Sequence, residues 1–150
     1  MSSFTRIDQS MATKAVDLIP SGSEEYAQEL RSRFSHLPGQ LRSSGLAATY
    51  AFLAARANTA SSEKLRNAYT DVTRTIVRRL CERRFVKLQS EPLEDNSPVP
   101  HQAVLEQLGK MSTLYYALAT REAAMLFMWM RRLSDSVTPG EEAQGGTARG

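Results

Sequence analysis

The chain has 150 residues, 41% of them apolar, and a formal net charge of +3 set by 15 arginines and 4 lysines against 16 acids, so one domain with its own core is expected. Its single cysteine, Cys81, excludes an internal disulfide and a thiolate zinc cluster, and a reducing compartment is the simplest expectation. No run approaches ~18 apolar residues, and residues 4–19 are amphipathic with Asp8 and Asp17, so a cytoplasmic protein without membrane span or targeting peptide is expected.

Ala and Leu (18 and 16) far outnumber Val and Ile (7 and 3), which favours helix because β-branched side chains lose rotamer freedom there. Phe4, Ile7, Met11, Ala15 and Leu18 recur at helical spacing, and Pro20 to Ser23 stops that first helix. Ser23 reads as the next N-cap, with Glu24 and Glu25 favoured in the first turn. The second stripe is Tyr26, Leu30, Phe34, Leu37 and Leu41, and Pro38-Gly39 predicts a kink or a restart within it. Gly45 closes this segment. Residues 46–57 are apolar around most of a helical circumference and should be the most buried element.

Ser61 or Ser62 caps the next helix, expected to run to about Val86 on the core stripe Leu65, Tyr69, Val72, Ile76 and Leu80. Residues 89–100, with Pro92, Pro98, Pro100, Glu91, Glu94 and Asp95, read as a mobile loop. A short helix over 101–108 should break at Gly109, and Ser112 should cap a last helix ending near Asp135. Residues 137–150 read as a disordered tail. The expected fold is all-α: a compact, single-domain bundle of about five to six helices over residues 1–136.

Catalytic chemistry has no foothold in this pattern. His36 and His101 stand at separate segment boundaries without partners at metal-ligand spacing, so no metal site is expected. No glycine-rich phosphate loop occurs. Glu24, Glu25 and Glu29 complement a helix N-terminus. Glu122 falls near the apolar stripe of the last helix, so it needs a partner from another helix and reads as a structural ion pair. Cys81 reads as a small buried hydrophobe. No cofactor, metal or catalytic residue is assigned; a small enzyme built from Glu122 and His36 is the least supported alternative.

Binding is better represented. Residues 64–87 carry eight cations against Asp71 and Glu82. At about 100° per residue, Arg74 and Arg78 fall opposite the core stripe and Arg79 at its edge. Arg83 and Arg84 come where the helix is ending, and there the macrodipole alone accounts for cations. The stripe of outward arginines has two readings, a solvated face or a phosphate track. Tyr26, Tyr50, Tyr69 and Tyr115 lie on core stripes, so base stacking is not implied. The last helix (Leu114, Tyr115, Leu118, Met125 to Met130) is apolar all round, so it is central to the bundle or partly faces a partner.

Two blocks resemble the small subunits of type III-B CRISPR RNA-silencing (Cmr) complexes. In residues 26–56 they are Tyr26-Ala27, Leu37-Pro38, Leu41, Gly45-Leu46, Ala51-Phe52-Leu53 and Arg56; in residues 116–133 they are Tyr116, Thr120-Arg121-Glu122-Ala123 and Trp129-Met130-Arg131-Arg132. Together they cover about a third of the chain. Ala117 departs from the family's arginine after the tyrosine, so that arginine's contact is absent here. The resemblance implies a helical bundle without nuclease activity, working in antiviral defence. Copies would stack along the inner side of the ribonucleoprotein filament, touching backbone and large subunits, one another, and the guide RNA–target RNA duplex. Specificity would come from base pairing, and the protein would read backbone and shape. The expected RNA-facing set is Arg42, Arg56, Arg74, Arg78, Arg79, Arg131 and Arg132. Of these, Arg56, Arg131 and Arg132 rest on matched motif positions and the others on charge geometry. The alternative is a helical protein–protein adaptor with no direct nucleic-acid contact.

Overall fold

The computed structural model describes residues 3–89 and 93–136, with side chains from residue 9 onward. Among the described residues there are seven helices and no strand: α1 (Ser3–Leu18), α2 (Glu25–Ser35), α3 (Leu37–Ser44), α4 (Leu46–Thr59), α5 (Glu63–Glu82), α6 (His101–Lys110) and α7 (Thr113–Ser136). The expected all-α class holds. The count exceeds the expected five to six because the chain restarts at Leu37, placing Pro38 in the first turn of α3, where a missing N–H costs no helical bond. The side chains of Phe4 and Ile7, the tail from residue 137, and Glu91 and Pro92 lie outside the described residues.

The helices group into two compact units, one from Met1–Gly39 with Met125–Gly150 and one from Gln40–Ala124. The first unit buries Met11, Ala15 and Leu18 of α1, Ala27, Leu30 and Phe34 of α2, and Leu126, Phe127 and Met130 of α7. Its α1–α2 turn is held from within by Arg31, only 4% exposed. Arg31 Nη1 donates to the carbonyls of Pro20 at 3.2 Å and Gly22 at 2.9 Å. The N-cap of α2 is Glu24 rather than Ser23, and its side chain makes no capping bond. The Ser23 carbonyl instead accepts from the Gln28 side chain at 2.8 Å.

The second unit is built on α5, whose expected stripe of Leu65, Tyr69, Val72, Ile76 and Leu80 is buried throughout. Leu46, Tyr50 and Leu53 of α4, Val104 and Leu108 of α6, and Ala119 and Ala123 of α7 complete its core. The caps follow the sequence: Ser62 Oγ accepts from Leu65 N at 3.2 Å and Ser112 Oγ from Tyr115 N at 3.1 Å. Gly45 takes φ +92°, a conformation that side-chain-bearing residues avoid. Gly109 does not break α6, which continues to Lys110. The end of α5 also differs from expectation: it stops at Glu82, four residues before Val86. Arg84 N donates to Cys81 O at 3.0 Å and Phe85 N to Leu80 O at 2.8 Å, a paired closure that needs a left-handed residue between them. Arg84 supplies it, at φ +64°.

Candidate nucleic-acid interface

On α5 the core face was legible and the opposite face was not. Arg74 and Arg78 were expected to point outward, but Arg74 is 9% exposed and Arg78 is half-buried. The reason is the proline-rich segment over residues 93–100, which packs onto that face with Leu93 and Val99 buried. Where a stretch without regular structure packs down on a helix, its backbone carbonyls there must find donors. Arg74 Nη2 donates to Ser97 O at 2.6 Å, and Arg78 Nε donates to Leu93 O at 2.7 Å. Arg78 Nη2 also meets Asp95 Oδ1 at 2.7 Å, and Arg74 lies 3.6 Å from Asp71. The guanidinium fork therefore works here as a set of donors that fastens a loop to a helix. Hydrogen bonding and charge from Arg78 lower the Asp95 pKa, whereas burial raises that of Asp71.

Arg79 is turned to the other side. Its Nε donates to Glu122 Oε1 at 2.6 Å, with side-chain exposures of 13% and 10%, and Arg83 Nε approaches the second oxygen at 3.3 Å. The expected partner of Glu122 thus comes from another helix, and one carboxylate of α7 gathers two guanidiniums from the end of α5. Removing charges this deep from water is costly, so the hydrogen bond from Arg79 and the ion pair with Arg83 are what make the burial tolerable.

Arg56 is half-buried on α4, with its guanidinium carbon 5.4 Å from the centroid of the buried Tyr69 ring. Arg42 at the end of α3 and Arg131 and Arg132 on α7 are exposed. Arg131 lies 4.0 Å from Asp135, and Arg132 stands 5.4 Å from the Trp129 ring centroid. The structure brings Arg74 and Arg78 together on one loop and assigns Arg79 to Glu122. Three cations outside the expected set, Arg83, Arg84 and Lys87, are exposed where α5 ends. Their position was visible in the sequence, but a cation at a helix C-terminus has a sufficient explanation in the macrodipole, which hid them.

The two motif blocks meet in the second unit. Ala47 N, an unpaired donor of the first turn of α4, donates to Tyr116 Oη at 2.9 Å. Tyr116 therefore caps the helix that opens at Gly45-Leu46. Tyr115 departs from its expected core position and is 49% exposed. Cys81 is half-buried rather than fully buried. His101 Nδ1 lies 2.8 Å from Tyr50 Oη, and burial lowers the histidine pKa and raises that of the tyrosine. No group of three or more metal-ligating side chains occurs among the described residues, and no described helix is long and apolar enough to cross a membrane.

The family model for CRISPR-associated protein (Cas_Cmr5) matches residues 7–137, a span that contains both motif blocks. No curated protein and no solved structure matches the chain. A match over most of the chain, together with the helical layout and the junction of the two blocks at Tyr116 and Ala47, leads to one conclusion: the chain belongs to the Cas_Cmr5 family, the small subunits of type III-B CRISPR Cmr complexes.

Proposed function

We propose that the protein is a non-catalytic small subunit that lines the Cmr filament in the cytoplasm and supports the guide RNA–target RNA path through exposed arginines. The observation that carries this reading is the family match over residues 7–137, joined to a set of cations that the fold leaves at the surface. Within the expected set those are Arg42, Arg131 and Arg132. Arg74 and Arg79 serve the fold, Arg78 mostly does, and Arg56 is half-buried against Tyr69. Exposed ion pairs such as Arg131–Asp135 are weak, so a phosphate can take the guanidinium at little cost. Phosphate contacts of this kind are independent of sequence and sensitive to salt.

The test is a reconstituted Cmr complex in which the full chain carries Arg42→Ala, Arg131→Ala and Arg132→Ala together. Target-RNA affinity should fall, and the slope of log affinity against log salt should flatten by roughly two to three, about one per lost contact. Unchanged affinity and slope in a fully assembled complex would favour the adaptor reading and remove these residues from the RNA path.

A further inference from the structure

The start of α7 presents an aromatic surface that is backed by a second ring. Tyr115 is 49% exposed and Leu114 beside it is 65% exposed. Phe85 packs against the Tyr115 ring, with centroids 5.6 Å apart and planes tilted by 57°. The Arg83 guanidinium carbon lies 6.0 Å from the Phe85 centroid, and Arg83 is itself tied to Glu122 at 3.3 Å. A chain of contacts from the buried Glu122 through Arg83 and Phe85 thus backs one tyrosine ring at the surface. A backed ring presents a flat apolar face at little further entropic cost.

The same stretch of chain is cationic. Residues 81–89 border an open depression of about 480 Å³, lined by Cys81, Arg84, Val86, Lys87, Leu88 and Gln89. The charged groups in that lining are Arg84 and Lys87, both exposed. The carboxylates nearest this end, Glu82 and Glu122, are engaged by Arg79 and Arg83. Arg84 is also fixed in its backbone, because the left-handed closure of α5 sets where its side chain departs.

We propose that the C-terminal end of α5 binds an unpaired RNA nucleotide, its base stacking on Tyr115 and the adjoining phosphates lying against Arg84 and Lys87. This rests on the RNA-path reading and specifies the nucleic acid it takes. A duplex hides its base faces in its own stack, whereas an unpaired base offers one to an aromatic ring. A second helix or a neighbouring subunit would be served by Leu114 and Tyr115, but it gives no use to Arg84 and Lys87, the cations on either side of Phe85 in the chain.

The experiment uses the full chain, alone and in the reconstituted complex, irradiated with RNA carrying 5-iodouridine at either paired or unpaired positions. Crosslinked peptides are identified by mass spectrometry, and RNA affinity is measured for wild type, Tyr115→Ala and Tyr115→Phe. The expected result is a crosslink at Tyr115 from unpaired positions, single-strand affinity lowered about tenfold by Tyr115→Ala, and affinity kept by Tyr115→Phe. Crosslinks confined to the peptides bearing Arg42 or Arg131, with Tyr115→Ala binding normally, would overturn this site and leave the RNA path standing. No crosslink to the chain in either state would overturn both. Loss of complex assembly in Tyr115→Ala with RNA affinity intact would make the patch a protein contact and equally overturn the proposal.

Discussion

Midway along α5, Arg74 and Arg78 spend their donors on the carbonyls of Ser97 and Leu93; just past the end of the helix, Arg84 reaches the surface. The residue type is the same. What differs is the neighbour. A segment without regular structure covers the middle of the helix and brings unpaired carbonyls with it, while the end of the helix is closed by its own backbone. Arginine follows whichever acceptor is left unsatisfied. A row of arginines on a helix is therefore a count of donors before it is a positive surface, and the intramolecular claims on those donors have to be subtracted first.

The largest effect that would break this contrast is expected at Arg79. Arg79→Ala leaves Glu122 buried with Arg83 as its remaining cation, and the loss should be about 3 kcal/mol in urea unfolding. A loss under about 1 kcal/mol would mean that the pair is not a structural element. Glu122→Gln keeps an acceptor for Arg79 and should cost less, with complex activity retained, which would also dispose of an acid–base role.

Arg74→Ala comes next, at about 2 kcal/mol, because the Ser97 carbonyl loses a charged donor at a nearly buried site. The variant should leave the salt dependence of RNA binding unchanged when measured well below its melting temperature. A flattened slope would return Arg74 to the RNA surface.

Arg84→Gly should act in the opposite direction. A side-chain-bearing residue at φ +64° pays a backbone cost that glycine does not, partly offset by glycine's greater freedom when unfolded. The net expectation is a gain of up to about 1 kcal/mol in thermal melts, together with weaker RNA binding. Stabilisation with unchanged RNA affinity would separate the two roles and cost Arg84 its place in the site.

The smallest effect sharpens the anchoring of the loop at its far end, where His101 opens α6 and meets Tyr50. Burial lowers the His101 pKa below 6.5, so the unfolded chain binds its proton more readily than the folded one. The stability this contributes is complete above pH 6.5 and is lost as pH falls through the lower, folded value. Melting temperature should therefore decline between pH 7 and the mildly acidic range, and His101→Gln should flatten that slope. An identical slope in the variant would assign the decline to other groups.

Local chemistry alone determined much of this protein. The buried stripe of α5, the caps at Ser62 and Ser112, the glycine at position 45 and the restart at Pro38 all follow from helical periodicity and from which backbone groups each residue can satisfy. Periodicity also placed Glu122 near a core and required a partner from another helix, without naming Arg79 or Arg83. The tertiary structure decided the fate of the arginines and of Tyr115. A helical wheel separates buried from opposite positions, but it holds no information about what packs on the opposite face. The 93–100 segment closed that face over Arg74, and the end of α5 left Tyr115 and Arg84 open. Long flexible donors respond to carbonyls distant in sequence, so the candidate RNA surface became legible only once the chain had folded back on itself.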